Sequence, residues 1–145
     1  MDRSPLVGSW KLVSFELRNQ DGEVSYPFGP DVTGYLFYNE DGYMSAAFMS
    51  AKRGTGPSED LADAGAASTY DSFMSYCGEY TVEGDKIIHR VEVSSLALWT
   101  GTVQERVFKI EGDRLTLLTA PLLIASETPI AHLVWDRVGS GVQAG

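Results

Sequence analysis

Cysteine and histidine are scarce in this sequence, which holds one cysteine and two histidines among 145 residues. The lone Cys77 permits no internal disulfide. Together with His89 and His132 it supplies fewer ligands than the four that a tetrahedral zinc site usually takes. No general base accompanies Cys77 in the sequence, so its thiol is not expected to act as a nucleophile. We therefore expect no metal in this protein.

Long apolar runs, excess positive charge and nucleotide-binding motifs are also missing. The mean hydropathy is −0.10, and neither a membrane-spanning helix nor a secretory signal is expected, which favours a cytoplasmic location. Twenty acidic residues against 11 basic ones give a net charge of −9, which repels phosphate backbones and anionic lipids. Glycine-rich phosphate loops are absent. We therefore expect no nucleic acid partner, no membrane partner and no cofactor.

The sequence does contain a regular series of hairpin signals. Four turns in which an acidic residue precedes glycine are centred on Gly22, Gly42, Gly84 and Gly112, and these residue types accept the positive φ of tight hairpins. About eight strands follow, and they predict an all-β, antiparallel up-and-down barrel with room for one small ligand. An open sandwich is the alternative. The clearest predicted strands cover residues 10–17, 35–38, 43–49, 87–93, 103–110, 114–118 and 131–138.

Residues 50–76 interrupt this pattern of short hairpins. Tyr70, Phe73 and Met74 fall at helical spacing, so a short amphipathic helix is predicted within this insertion, over residues 66–76. It would lie at one barrel mouth, as a functional lid or as a hydrophobic cap. We expect a single domain over residues 1–138. The glycine-rich residues 139–145 are expected to form a flexible tail.

Several blocks of the sequence resemble the lipocalin-like domain family, within the wider lipocalin or calycin barrels. Gly8-Ser9-Trp10 is similar to the Gly-x-Trp opening of its first strand, and Leu133-Val134-Trp135-Asp136-Arg137 is similar to its last strand. The resemblance spans about residues 6 to 138 and implies a barrel that carries, sequesters or transforms a small molecule. Trp10 would seal the closed end of such a barrel, with Arg137 over its indole ring.

His89 is the first catalytic candidate. Strand alternation places Ile87, His89, Val91 and Val93 on one apolar, inward face. An imidazole there can act as a general acid or base, and its apolar neighbours would keep it neutral and usable as a base. A core histidine satisfied by hydrogen bonds is the competing interpretation.

Arg106 is the second catalytic candidate. The strand face that holds Arg106 and Phe108 is the bulkier one, so it is interpreted as inward. A buried arginine needs a partner, and Glu16 would supply it if alternate residues from Trp10 onward all face the interior. The guanidinium could then polarise a carbonyl or stabilise an enolate. An outward Arg106 paired with surface acids is the alternative.

Candidate ligand-binding residues are mainly aromatic side chains and methionine, which suit an adaptable pocket wall. Trp99 stands out because it lies in an apolar loop, residues 95–101, between two strands. Such a loop could contact a ligand at the barrel mouth or form an interface. The full set of candidates is Glu16, Tyr38, Met44, Phe48, Tyr80, Trp99 and Phe108.

Three functions remain open from the sequence. The resemblance implies a cofactor-independent cyclase or isomerase of a polyketide- or terpenoid-like molecule, in which His89 moves a proton and Arg106 holds negative charge. A carrier would use the same cavity without turnover. An accessory domain would dock through residues 96–99. A hydrophobic small molecule is the expected partner in the first two cases, with a homodimer as a further option.

Overall fold

The computed structural model describes residues 4–51, 73–119 and 129–139, and antiparallel strands dominate them. One 3₁₀ turn, Ala97–Trp99, is the helical structure present in these ranges. No helix in the same ranges is long and apolar enough to cross a membrane. The strands are β1 (Gly8–Arg18), β2 (Val24–Ser25), β3 (Val32–Tyr38), β4 (Tyr43–Ser50), β5 (Phe73–Glu83), β6 (Lys86–Ser94), β7 (Val103–Glu111), β8 (Arg114–Thr119) and β9 (Ile130–Arg137).

The sheet closes into a barrel because β1 pairs with β3 on one side and with β9 on the other. Every neighbouring pair is antiparallel, and eight strands, β1 and β3 to β9, complete the circle. The two-residue β2 pairs only with the end of β1. All four predicted turn glycines have positive φ, between 62° and 93°. The predicted eight-stranded up-and-down barrel is therefore confirmed, and the sandwich is excluded.

Trp10 and Arg137 close one end of the barrel as predicted. The Trp10 side chain is fully buried, and its indole Nε1 donates a hydrogen bond of 2.9 Å to the carbonyl of Leu6. The Arg137 guanidinium lies 4.2 Å from the centre of the indole ring. It also donates hydrogen bonds to the carbonyls of Val7 and Pro5, at 3.0 and 2.7 Å. A cation–π contact and backbone hydrogen bonds thus fix the N-terminal segment over the core.

The predicted helix over residues 66–76 is wrong for its last part, because Phe73 to Tyr76 begin β5. Residues 66–72 lie outside the described residues. Burial in β5 alternates with period two and places Met74, Tyr76 and Tyr80 inward. The lone cysteine, Cys77, lies in the middle of this strand. Sheet pairing with β4 and β6 therefore overrides the helical spacing of the aromatic residues.

A β-bulge in β1 overturns the prediction that Glu16 faces the interior. The register with β9 shifts between Leu12 and Ser14, which adds one residue and reverses which side chains point inward. Phe15 consequently packs against the core. Glu16 lies on the outer face instead, where it forms a 2.9 Å ion pair with Arg18. Glu16 is therefore not the partner of Arg106.

A second bulge, between β5 and β6, ends the predicted inward face of β6 early. The register shifts so that Cys77 pairs with Val93, whereas Gly78 pairs with Val91. Ile87, His89 and Val91 are buried as predicted, but Val93 is 63% exposed. The inward placement of His89 is thus confirmed, and the inward placement of Val93 is wrong.

The two ends of the barrel differ in their connections. Short hairpins at Gly42, Gly84 and Gly112 join strands at the end that Trp10 closes. At the opposite end lie the segment with the 3₁₀ turn and the ends of β4, β8 and β1. Most of the predicted insertion, residues 52–72, and the tail from residue 140 lie outside the described residues. Trp99, which lines the interior cavity, therefore lies at the end opposite Trp10.

Candidate functional site

An interior cavity of about 120 Å³ lies between the strands towards the end that carries Trp99. Its wall is mainly aliphatic and aromatic, with few polar groups, as is usual for small-molecule sites. It receives side chains from seven of the eight barrel strands and from the 3₁₀ turn. The lining residues are Phe15, Leu36, Ala46, Phe48, Tyr76, Trp99, Gln104, Arg106, Leu117, Thr119, Ala131, Leu133 and Trp135.

Arg106 supplies a buried positive charge to this wall. Its inward placement, predicted from the alternation of β7, is confirmed: Arg106 is 9% exposed, whereas its neighbours Glu105 and Val107 are exposed. The guanidinium donates a 2.9 Å hydrogen bond to the carbonyl of Glu105. It lies 5.8 Å from the centre of the Trp99 ring, and its charge opposes the rise that burial causes in the pKa of Tyr76. Among the described residues it has no carboxylate partner, so within that part of the chain its charge is uncompensated.

Tyr76 connects the cavity to a buried polar network behind it. The Tyr76 hydroxyl lies 2.9 Å from Nδ1 of His89, and the Tyr38 hydroxyl lies 2.7 Å from Nε2 of the same ring. Both ring nitrogens of His89 are therefore engaged, and the ring is fully buried. His89 does not line the cavity itself. A ligand would meet the tyrosine hydroxyl first, with the imidazole behind it.

Burial keeps every titratable group of this network neutral. Burial, reinforced by the charge of Arg106, lowers the pKa of His89 from 6.5 to about 3. Burial also raises the pKa of Tyr38 well above its usual value, and raises that of Tyr76 although Arg106 opposes this shift. At neutral pH His89 is thus an uncharged imidazole between two protonated phenols.

The hydrogen-bond inventory decides how the protons are arranged. Tyr38 is buried, and its hydroxyl has His89 as its partner. If Nε2 carried the proton, the Tyr38 hydroxyl hydrogen would have no acceptor, which costs about 1–3 kcal/mol. The arrangement that avoids this cost has Tyr38 donating to Nε2 and Nδ1–H donating to the oxygen of Tyr76. This arrangement leaves the hydroxyl hydrogen of Tyr76 available to the cavity.

The predicted site residues divide into four groups in the structure. Phe48, Trp99 and Arg106 line the cavity, whereas His89 and Tyr38 lie behind Tyr76. Glu16 lies on the outer surface, as described above. The remaining three, which belong to the core but not to the cavity wall, are Met44, Tyr80 and Phe108.

Tyr76 is the main residue of the cavity wall that sequence reasoning missed, because it was included in the predicted helix. Its alternation with Met74 and Tyr80 was the signal that could have placed it on the inner face of a strand. Trp135 was recognised as part of the last strand but not as part of the cavity wall. Its Nε1 is buried and has no hydrogen-bond partner among the described residues.

Metal chemistry has no visible support in the part of the chain that the structure describes. Within those ranges, no group of three or more histidine, cysteine, aspartate or glutamate side chains is arranged to hold a metal ion. The polar groups at the cavity are a guanidinium, a phenol, an amide, a hydroxyl and two indoles. Such groups bind and orient an organic ligand through hydrogen bonds and charge.

Comparison with known proteins gives one family, one protein of similar sequence and two solved structures of similar fold. The sequence profile of the family described as "Lipocalin-like domain" matches residues 7–138. A protein of Aspergillus oryzae (strain ATCC 42149 / RIB 40), named "4'-hydroxy-3'-methoxypropiophenone carrier protein ppsC", is 37% identical over 75 residues, covering 46% of this chain and 68% of that protein. A lipocalin-like protein of Bacteroides uniformis ATCC 8492 has a TM-score of 0.48 at 13% identity, covering 91% of this chain and 97% of that one. An uncharacterized protein of Bacteroides eggerthii DSM 20697 has a TM-score of 0.46, also at 13% identity, covering 90% and 98%.

Proposed function

We propose that this chain, which belongs to the lipocalin-like domain family, binds a small single-ring aromatic molecule inside its barrel and carries it without chemical change. An oxygen of the ligand would contact Arg106 and Tyr76. The observation that carries this proposal is a buried guanidinium that has no carboxylate partner among the described residues, in the wall of a mainly apolar cavity. Burying such a charge is costly, so a ligand that accepts its hydrogen bonds is the natural compensation.

The size of the cavity favours one ring. Pockets for drug-sized ligands measure roughly 300–1,000 Å³, whereas a dry cavity of roughly 150 Å³ in another protein binds benzene. The cavity bounded by the described residues, at about 120 Å³, is close to the smaller value. It suits a substituted benzene better than the larger polyketide- or terpenoid-like substrate expected from the sequence.

The shape and chemistry of the wall favour an aromatic ligand. Phe48 packs edge-on to Trp135, with ring centres 6.4 Å apart, and Tyr76 packs edge-on to Trp99 at 5.4 Å. A flat ring between such side chains gains offset-stacked or edge-to-face contacts in addition to the hydrophobic effect. The printed name of the Aspergillus relative supports the same class, since a hydroxy-methoxy propiophenone is one benzene ring that bears a ketone chain.

Substitution of Arg106 tests this function directly. The probe is para-hydroxypropiophenone, whose binding should quench the fluorescence of Trp99 and Trp135. Because hydrogen bonds to charged groups contribute about 1.5–3 kcal/mol, we expect Arg106→Met to weaken binding by roughly 10- to 100-fold. The matched control is Arg114→Met, which removes an exposed arginine paired with Asp136 at 2.8 Å, and its affinity should equal that of the wild type. Equal affinity of Arg106→Met and wild type would contradict the proposal, as would the absence of binding.

A proton-transfer enzyme is the second candidate, and the observation that favours it is the chain of hydrogen bonds from Tyr38 through His89 to Tyr76. With the proton arrangement derived above, this chain can pass a proton towards the cavity, so Tyr76 would act as a general acid towards a carbonyl oxygen. The cost would fall on Tyr38, which would become a buried anion although its pKa is raised well above the usual value. This cost places carriage ahead of catalysis.

Deuterium exchange separates the two functions. A carrier should leave the α-hydrogens of para-hydroxypropiophenone exchanging in D₂O at the rate found in buffer, as measured by proton NMR. An enzyme that enolises the ketone should accelerate this exchange, and Tyr76→Phe or His89→Gln should remove roughly 10²–10⁴-fold of the rate. We expect no acceleration by the wild type. Acceleration that disappears in Tyr76→Phe would replace carriage with catalysis.

A further inference from the structure

We infer that the cavity binds its aromatic ligand as an oxygen anion, a phenolate whose charged oxygen lies against Arg106. This inference rests on the proposed function and names the charge state of its ligand. It follows from the charges and hydrogen-bond donors of the cavity wall. The probe below is chosen because its ionisation can be seen optically.

Within the described ranges, the interior holds one positive charge that no buried negative charge compensates. Among the described residues, the buried polar and charged side chains are His89 and Arg106. His89 is neutral because burial holds its pKa at about 3. The nearby carboxylates of Glu105 and Glu16 point outward. Oε1 of Glu105 lies 3.7 Å from Nζ of Lys86, and Glu16 forms an ion pair with Arg18. The interior described by the structure therefore has a charge of +1 before a ligand enters.

Three groups of the wall present hydrogen atoms without a matching acceptor. Arg106 carries five N–H donors, and one of them binds the carbonyl of Glu105. The hydroxyl hydrogen of Tyr76 is left for the cavity by the arrangement around His89. The Nε1–H of Trp135 is buried and unpartnered. A ligand oxygen with a full negative charge is the strongest acceptor for such donors.

The strand directions place these donors at different depths. Arg106 pairs with Thr119, near the end of the barrel that carries Trp99. Trp135 pairs with Leu115 and Leu12, nearer the end closed by Trp10. A ring with oxygen atoms on opposite sides would meet both groups. The charged oxygen would lie at Arg106, where the counter-charge is, and a neutral carbonyl oxygen would accept from Trp135.

A cation without a buried partner should favour the ionised form of a bound phenol. An opposite charge within about 4–6 Å shifts the ionisation equilibrium of an acid by roughly 10- to 1,000-fold towards the anion. Desolvation opposes this shift, but the donors at Tyr76 and Trp135 replace the lost water. We therefore expect a preference of at least about tenfold for the phenolate over the phenol.

The test is an absorption titration of para-hydroxypropiophenone, whose phenolate absorbs at longer wavelength than the phenol. At a pH one unit below the ionisation midpoint of the free probe, the wild-type complex should show the phenolate band for at least half of the bound probe. Arg106→Met should bind the neutral phenol only, whereas Arg106→Lys, which keeps the charge, should retain part of the band. At a pH one unit above that midpoint, where the free probe is mostly ionised, the methyl ether para-methoxypropiophenone, which cannot ionise, should bind roughly tenfold more weakly to the wild type.

The outcomes distinguish this inference from the function on which it rests. Binding of the phenol with the spectrum of the neutral form, and equal affinity for the methyl ether, would overturn the anionic ligand and leave the proposed carrier function intact. Binding of neither compound would overturn the carrier function itself. A phenolate band that persists in Arg106→Met would overturn the role of Arg106 as the counter-charge.

Discussion

Replacing Trp10 with alanine is expected to lower the free energy of unfolding by about 3–5 kcal/mol, the usual range for a buried large aromatic side chain. The side chain is fully buried at the closed end of the barrel. The substitution removes the indole ring, whose centre lies 4.2 Å from the Arg137 guanidinium. It also removes the hydrogen bond from the indole Nε1 to the carbonyl of Leu6. Urea unfolding followed by far-ultraviolet circular dichroism measures this loss.

The same substitution at Trp99 is the matched control for Trp10. Trp99 is half-buried on the 3₁₀ turn at the opposite end of the barrel, so Trp99→Ala should cost clearly less stability. Arg137→Met should cost an intermediate amount, because it removes hydrogen bonds to two carbonyls but keeps the indole buried. A loss below about 1 kcal/mol for Trp10→Ala would show that Trp10 does not seal the barrel, since buried aromatics of this size normally exceed that value.

The barrel itself could be predicted from the sequence because its strongest signals are local. Each of the four predicted hairpins depends on a glycine that adopts positive φ next to an acidic residue, and these residues are adjacent in the sequence. The strands they separate alternate regularly, most clearly in β7, where Arg106 was correctly placed inward. Closed sheets with short hairpins leave few topologies to choose from.

The errors come from single residues that change the register. One extra residue at the bulge in β1 sends Glu16 outward, and another in β6 sends Val93 outward. Alternation alone cannot locate such a bulge, since both registers are compatible with the hydrophobic pattern until the partner strand is known. Tyr76 was missed for a related reason, because two of the three aromatic and methionine residues that suggested a helix begin a strand.

The partners of His89 were also beyond sequence reasoning. Its inward orientation followed from the alternation of β6, but Tyr38 and Tyr76 come from β3 and β5, and Tyr38 is 51 positions away. Their contacts depend on how the closed barrel brings three strands around one side chain. The competing interpretation of His89 as a core residue satisfied by hydrogen bonds describes its surroundings well. A part in proton transfer stays a prediction.

The stability of the protein is expected to decrease as the pH falls from about 6.5 towards 3, and His89 is the main cause. The folded state holds the neutral imidazole, because burial and Arg106 lower its pKa to about 3, whereas the unfolded chain takes up a proton near the ordinary value of about 6.5. The unfolded state thus binds more protons across this range, and each pH unit downward favours it. The full contribution is present above the unfolded pKa, and the loss on reaching the folded pKa is on the order of 4–5 kcal/mol.

His89→Gln isolates this effect, because glutamine does not titrate. The variant should be less stable than the wild type at pH 7, since glutamine cannot replace both tyrosine contacts. The difference in stability should shrink steadily as the pH falls to 4.5.

The second histidine, His132, also has a lowered pKa. Partial burial is the main cause and the charge of Arg18 adds to it, although Glu16 opposes the shift. His132→Asn is therefore the matched control, and it should keep most of the wild-type pH dependence. Asp136, whose pKa is lowered by the hydrogen bond from Arg114, loses its contribution only below its ordinary range, outside the pH interval measured. Urea unfolding at pH 7, 6, 5 and 4.5 provides the comparison, and equal pH dependence of wild type and His89→Gln would show that His89 is not held neutral by the fold.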